Sequence, residues 1–454
     1  MTSQHKSWGI AAACLAVAAV SAALFLLPRR QVTTASDGAY REFVAGNDDY
    51  DRMYFADARR HYENALSRDP KFMMAMVRIG LVEFYEGYGN TAKAQEVLEA
   101  ANRLRGRVTR RERLALDLAR AWVNRRNDEA SRIARTLKQD YQDELGYQWL
   151  AEDALRLGRT EDAAALFRER LARDPNNAQA YNYLGYLEAT RGNMTEALAD
   201  LQRYAFIAPD SADPLDTLGQ VETAHGDYEA AIRHFQKAQS LKPNFFGYPY
   251  RLGIAHEKRG DFALARSDLD RAFGLAQMPV EKFLVAQRLF IVSLREKDFP
   301  RAREAIQAMR DANLPPKLGG VEQFFEATLL SDEGRAKEAD ELLSSVTWKD
   351  PDPVTQAEIE RQIRLTRGRI AFRDGRYRDA LRLLESALTA PGEALDLDKQ
   401  SSVIRYRAIL AQAQARLGDF DSAEKVLALN RKFNPRDLDT IEAEAEVARL
   451  KKAA

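Results

Sequence analysis

The strongest constraint on the fold is a residue pattern that repeats every 34 positions through the middle of the chain. An alanine is followed four positions later by a large apolar residue and, in most copies, by a proline eight positions after that. Such agreement is not expected by chance, so it predicts one repeated supersecondary unit instead of several unrelated domains. The best copies are residues 144–177, 178–211, 212–245 and 246–279.

Each copy predicts two antiparallel helices. Apolar residues at positions such as 4 and 7 of a copy form one face of the first helix. A small residue at position 8 and the alanine at position 20 let the helices approach closely. Glycine at position 15 ends the first helix, and proline at position 32 ends the second. In residues 212–245 these positions are Gly219, Ala231, Gly226 and Pro243.

This pattern resembles the tetratricopeptide repeat, a helix-turn-helix unit of 34 residues. Looser copies flank the core, so the resemblance covers residues 39–437. It implies an all-α fold, a TPR α-solenoid in which about eleven repeats form a right-handed superhelix. Residues 438–454 are predicted to form a polar helix that caps the last repeat. Contacts are expected between neighbouring repeats only.

The N-terminus carries an uncharged apolar run at residues 8–27, between a short tail (residues 1–7) and a linker (residues 28–38). At 1.5 Å per residue, a helix of this length spans about 30 Å, the thickness of the hydrocarbon core. We expect an uncleaved transmembrane helix. The alternatives are a signal peptide cleaved near Ala22 and a lipoprotein processed at Cys14.

The orientation of this anchor is ambiguous. Arg29 and Arg30 follow the run, which favours a cytoplasmic body. A short basic leader is typical of exported chains, however, and no cysteine follows Cys14, as is usual in an oxidising compartment. The abundance of arginine and alanine suggests a GC-rich bacterial genome. We therefore expect a single-pass protein of the bacterial inner membrane with a periplasmic body.

The sequence carries no motif for catalysis, metal binding or cofactor binding. The histidines lack the spacing of a zinc site, and phosphate-binding loops and nucleophile elbows are absent. Positive and negative side chains balance at 68 each, which excludes a general attraction to nucleic acid. We expect no enzyme, no metal, no cofactor and no nucleic-acid partner.

The resemblance implies a binding groove, because the first helices of this family line the concave face through positions 2, 5, 9, 12 and 13. Here these positions are polar and include two tyrosines, which suits a protein or peptide partner. The lysine and asparagine of the family's chaperone-tail clamp are missing. Partners on the convex face are the alternative. The predicted groove residues are Gln148, Glu152, Arg156, Asn182, Tyr186, Asp213, Asp216, Gln220, Tyr250, Glu257 and Lys258.

These features predict a membrane-anchored scaffold for protein–protein interaction. By analogy with the family, assembly or secretion of bacterial envelope components is a natural context. The alternative is an accessory subunit that binds a polysaccharide or lipid-linked polymer for export. A glycan site would require aromatic platforms in the groove, where only Tyr186 and Tyr250 are found.

Overall fold

The computed structural model describes residues 32–86, 91–313, 321–346, 353–388 and 397–454. The predicted tail, the predicted anchor at residues 8–27 and the start of the predicted linker lie outside the described residues. Within the described ranges, no helix has both the length and the apolar character needed to cross a membrane.

The described residues form 23 α-helices and no strand, which confirms the predicted all-α solenoid. In chain order they make eleven pairs and a last single helix. The first helix begins at Asp37, two residues before the predicted start of the array at residue 39. The helices are α1 (Asp37–Asp51), α2 (Phe55–Arg68), α3 (Met73–Glu86), α4 (Ala92–Asn102), α5 (Arg110–Val123), α6 (Asn127–Tyr141), α7 (Glu144–Arg156), α8 (Thr160–Arg173), α9 (Ala178–Thr190), α10 (Met194–Ile207), α11 (Asp213–His225), α12 (Tyr228–Leu241), α13 (Gly247–Arg259), α14 (Phe262–Leu275), α15 (Pro279–Glu296), α16 (Phe299–Asp311), α17 (Glu322–Asp332), α18 (Ala336–Ser345), α19 (Pro353–Arg373), α20 (Tyr377–Leu388), α21 (Leu397–Arg416), α22 (Phe420–Phe433) and α23 (Leu438–Ala453).

The chain divides into two compact units, residues 1–153 and residues 154–454. The core of the first unit is one hydrophobic cluster that runs from α1 to α7. The core of the second unit is a series of smaller clusters between neighbouring helices, such as the one that joins Phe235 of α12 to Leu252 of α13. A series of clusters like that in the second unit is expected when each repeat packs mainly against the next one.

The end of the predicted linker is held on the first unit. The backbone N–H and the hydroxyl of Thr33 both donate to the carboxylate of Glu112, at 2.7 Å each. The hydroxyl of Thr34 donates to Asp69 at 2.6 Å. Glu112 is buried in the N-terminal turn of α5. The chain is therefore fixed to the first unit from residue 33 onwards.

The two helices of a repeat approach each other through the glycine at position 8. A Cβ atom on Gly219 would lie 2.5 Å from the ring of Phe235, which is at position 24. At Gly185 the corresponding neighbour is Leu201, also at 2.5 Å, and the carbonyl oxygen of Ala197 at position 20 lies 3.2 Å away. The alanine was expected to be the partner of this glycine, but the larger residue at position 24 lies closer. The same pairing occurs at Gly46–Tyr62, Gly80–Leu98, Gly253–Leu269 and Gly368–Leu384.

The second unit also closes on itself through residues 433–442, which we call the closing segment. Nδ1 of His225 donates to the carbonyl oxygen of Phe433 at 2.7 Å. The side-chain amide of Asn434 donates to the hydroxyl of Tyr228 at 3.3 Å. These pairs lie more than 200 positions apart in the sequence, so the expectation of contacts between neighbouring repeats alone is wrong here. Each repeat is rotated slightly against the one before it, so the later repeats of a long array can turn back towards earlier ones.

A charged pair strengthens this closure. Both terminal nitrogens of Arg436 donate to the carboxylate of Glu229, at 2.8 and 3.1 Å. This hydrogen bonding lowers the pKa of Glu229 to about 2. The guanidinium group also lies 5.3 Å from the ring centroid of Tyr228. A bidentate arginine pair defines the position of both partners more sharply than a single contact does.

Replacing Gly219 with alanine should destabilise the second unit by about 1–3 kcal/mol, because the buried ring of Phe235 has to move. Gly274→Ala is the matched control, since apart from the adjoining residues and backbone of its own helix nothing lies within 4 Å of the new methyl group. That change should stabilise α14 by about 0.5–1 kcal/mol through the lower backbone entropy of alanine. Thermal unfolding followed by circular dichroism measures both changes. Equal effects at the two sites would contradict the proposed close approach.

Replacing Gly226 tests the closure. Gly226 has a φ of +94°, and a Cβ atom there would lie 2.5 Å from Oδ1 of Asn434. Gly192 has a similar φ of +79°, but a Cβ atom there would meet no neighbouring group within 4 Å. Gly192→Ala therefore introduces backbone strain without a steric clash. We expect Gly226→Ala to cost about 1 kcal/mol more than Gly192→Ala, because it also disturbs a buried hydrogen bond. Hydrogen exchange should increase in residues 433–442 in the first variant and remain unchanged there in the second.

Candidate functional site

The predicted groove residues are distributed over both units. Gln148 and Glu152 belong to the first unit, and the other nine belong to the second.

In the first unit, Gln148 and Glu152 take part in a polar cluster with two tyrosines. The side-chain amide of Gln148 donates to the hydroxyl oxygens of Tyr50 and Tyr85, at 3.2 and 3.0 Å. The hydroxyl of Tyr85 donates to Glu152 at 2.8 Å. Burial raises the pKa of Tyr50 to about 12, which keeps its hydroxyl protonated. Gln148 is only 2% exposed, so it connects helices in this unit and offers little surface to a partner.

In the second unit, three groove residues form a connected row. The hydroxyl of Tyr186 donates to the amide oxygen of Gln220 at 2.8 Å, and the amide nitrogen of Gln220 donates to Asp216 at 2.7 Å. Tyr186 and Gln220 both occupy position 9 of their repeats, 34 residues apart. Equivalent positions of two repeats therefore lie side by side on one face. We call Tyr186, Gln220 and Asp216 the polar row.

Burial and a nearby arginine act in opposite directions on the pKa of Asp216, at the end of this row. Burial raises the pKa of Asp216, and the nearby charge of Arg251 opposes that effect. Nε of Arg251 lies 3.8 Å from Oδ1 of Asp216. The row thus runs from a phenol through an amide to a carboxylate beside a guanidinium group. Such a surface offers donors and acceptors to an extended peptide backbone.

The other open positions surround the row. Asp213 accepts a hydrogen bond from Nζ of Lys242 at 3.2 Å. Asn182 is half-buried on α9, and Arg156 is exposed at the end of α7. Their positions are compatible with a binding role, which stays a prediction.

Tyr250 packs in the core, although the groove side chains were expected to take no part in core packing. It is 7% exposed and belongs to a hydrophobic cluster with Ile254 and Leu269. Its ring centroid lies 6.2 Å from that of Phe246. The aromatic residues at this repeat junction fill the space beside α14, because a ring of this size packs better than it hydrates. One of the two aromatic platforms that a glycan site would need is therefore part of the core.

Glu257 and Lys258 are buried beneath the C-terminal part of the second unit. Nζ of Lys258 lies 3.7 Å from Asp437, in the closing segment. Glu257 lies 3.6 Å from Nη2 of Arg405. This end of the predicted groove is thus covered by the chain itself, and a partner would have to compete with the closing segment to reach it.

The same region holds a network around Asp439. Nε of Arg405 donates to Asp439 at 3.1 Å, and Arg295 donates to its other oxygen. Burial by itself raises the pKa of Asp439, but the charges of Arg405, Arg295 and Lys258 outweigh burial and hold the pKa well below its usual value. The carboxylate therefore stays ionised. No sequence pattern indicates this network, because its members come from distant repeats and the 34-residue period carries no signal for such contacts.

These sites are built from hydrogen-bonding and charged side chains. Over the described parts of the chain, no group of three or more histidine, cysteine, aspartate or glutamate side chains is placed to hold a metal ion. The hydrogen bonds of the polar row join side chains of the chain to one another, in an arrangement that a partner's polar groups can extend.

Three comparisons with solved structures give weak overall similarity. Yeast Tom70 is 16% identical with a TM-score of 0.40, and the match covers 91% of this chain and 96% of that one. A chain of the APC/C hetero-tetramer Cut9–Hcn1 is 14% identical with a TM-score of 0.41, covering 90% and 76%. PilW, a widely conserved type IV pilus biogenesis factor, is 19% identical with a TM-score of 0.36, covering 44% and 89%.

No curated protein matches the chain in sequence. A family profile described as "Tetratricopeptide repeat" matches three stretches, and no catalytic family is indicated. The first two stretches include most of the region in which the 34-residue register is clearest. Residues 150–212, 217–277 and 365–435 therefore match the tetratricopeptide repeat, and the repeat predicted from the 34-residue pattern is confirmed for these stretches.

Proposed function

We propose that this chain is a scaffold for protein–protein interaction, anchored in the bacterial inner membrane by residues 8–27. Its repeats would lie on the periplasmic side and bring together proteins that assemble or export envelope components. The observation that carries the proposal is the polar row. It places position-9 side chains of two repeats on one shared face, as a surface for binding an extended partner requires.

The chemistry of the row favours a protein partner. A peptide backbone carries one donor and one acceptor at most residues, and the row presents phenol, amide and carboxylate groups in sequence. Tyr186 adds a large contact area whose ring loses little conformational entropy on binding. The row is half-buried, so a partner can cover it without rearranging the core.

The short connection at the N-terminus supports a role at the membrane surface. Thr33 is hydrogen-bonded to Glu112 of the first unit. From Leu27, the last residue of the apolar run, to Thr33 the chain can extend at most about 22 Å. If residues 8–27 span the bilayer, the first unit is held close to the headgroups, and its partners assemble there.

Charges introduced into the apolar run should release the protein from the membrane. We expect Val17→Arg combined with Val20→Arg to move the chain to the soluble fraction, because each arginine costs about 2.5–3.5 kcal/mol at the centre of a spanning helix. Val44→Arg, on the exposed face of α1, is the control and should remain in the membrane fraction. N-terminal sequencing of the extracted protein should begin upstream of Ala22. A mature start at Ala23 would contradict an uncleaved anchor.

Site-specific photo-crosslinking in living cells tests the binding surface. A photo-reactive phenylalanine analogue in place of Tyr186 should form adducts with envelope proteins. The same analogue in place of Phe206, which is 73% exposed on α10, is the control and should form few. Adducts at position 206 alone would move the site to the second-helix face. Adducts that contain glycan and no protein would instead favour the polymer-binding alternative.

A further inference from the structure

The second unit contains a cavity of ≈ 440 Å³ that the polar row does not use. Residues of α13, α15, α17, α19 and α21 line its walls, and Asp439 and Glu442 of α23 lie at one side. It is therefore bounded by the first helices of successive repeats and by the last helix of the chain. Its size is within the range of about 300–1,000 Å³ that is typical of small-molecule sites.

The lining carries more positive than negative charge. Three carboxylates line the cavity: Asp332, Asp439 and Glu442. Two further carboxylates lie outside the lining but pair with its cations: Asp437 with Lys258, and Glu257 with Arg288. The acidic groups near the cavity therefore number five. The six cationic side chains are Lys258, Arg288, Arg295, Arg369, Arg373 and Arg405.

The carboxylates are also shared between cations. Asp332 lies 2.8 Å from Nη2 of Arg369 and 3.3 Å from Nε of Arg373. Asp439 pairs with both Arg405 and Arg295. A guanidinium group has five N–H donors and binds an oxyanion best when two of them are used together. Six cations beside five carboxylates leave the cavity with a net positive charge.

Arg369 is one of the six cations that line the cavity. Among the described residues it makes one hydrogen bond, from Nη2 to Asp332. Burial lowers its pKa, and although Asp332 opposes this effect, the charges of Arg405 and Arg373 lower the pKa further. The side chain of Arg369 is 17% exposed, so it is partly withdrawn from water beside two other guanidinium groups, and a bound anion would offset that repulsion.

The remaining lining offers a second kind of contact. Phe324, Phe325, Phe372 and Tyr406 contribute aromatic surface beside the cations. An inorganic anion would make no use of this aromatic surface. A ligand that joins an anionic group to an aromatic or apolar group would use both parts of the cavity.

We propose that this cavity binds a small organic anion. Its carboxylate or phosphate group would bind Arg369, Arg373 and Arg405, and its aromatic or apolar group would pack against Phe372 and Tyr406. The site is separate from the polar row, so it neither requires nor excludes a protein partner there.

Calorimetric titration of the full-length protein, purified in detergent, tests the proposal. The probes are phenyl phosphate, benzoate and neutral phenol, all of which contain the same ring. We expect at least one of the anions to bind and phenol not to bind. Stronger binding of phenyl phosphate would indicate a phosphoester ligand, and stronger binding of benzoate a carboxylate, and either result supports the proposal.

The variant Arg369→Gln should weaken anion binding by at least about tenfold, since it removes a charged bidentate donor. Arg367→Gln is the matched control on the same helix. Its side chain contacts Ser344 and Asp340, outside the cavity, so binding should not change. Should Arg369→Gln fail to fold, Arg373→Gln provides the same test, because that side chain is 56% exposed.

The proposal is overturned if neither anion binds at millimolar concentration, or if phenol binds as strongly as the anions. It is also overturned if the cavity variants that fold bind as strongly as the unmodified protein.

Discussion

Six of the eleven described helix pairs depend on one close contact, in which a large side chain of the second helix lies directly against a glycine of the first. In the repeat of Gly219 and Phe235, any side chain on the glycine would occupy the position of the ring. Because the helices meet this closely, their outer faces lie at a constant spacing from one repeat to the next. That spacing places Tyr186 beside Gln220. Further along, Arg369 and Arg373 of α19 line one cavity with Arg405 of α21.

The closing segment adds a constraint of a different kind. In an open array, each repeat interacts only with its neighbours, and the ends can fray independently. Here the contacts from Phe433, Asn434 and Arg436 to α11 and α12 join early and late repeats of the second unit. Opening the unit at this point costs a buried hydrogen bond and a bidentate ion pair, so the repeat of α11 and α12 and the last repeat should open together. The same closure brings Asp439 to the wall of the cavity.

The features that could be predicted from the sequence are those with a local or periodic cause. The glycines and alanines of residues 144–279 indicated helix pairs and their register, and the pairing of Tyr186 with Gln220 agrees with that register. The burial of Tyr250 was not foreseen, because a tyrosine at position 5 can face either a partner or the adjoining aromatic residues, and only packing decides between them. Contacts such as Asn434 with Tyr228 leave no trace in a 34-residue period. The closing segment and the cavity were therefore beyond sequence reasoning.

The closure also bears on how this chain can evolve. Open repeat proteins gain and lose repeats readily, because a new unit only has to match its neighbours. In the second unit, the pairing of Arg436 with Glu229 requires the last repeat to arrive at one particular place. Inserting or deleting a helix pair between α13 and α21 would carry residues 433–442 past that place or stop them short of it. Gain or loss of a single repeat is thus disfavoured within this unit, and the number of its repeats is expected to stay constant during evolution.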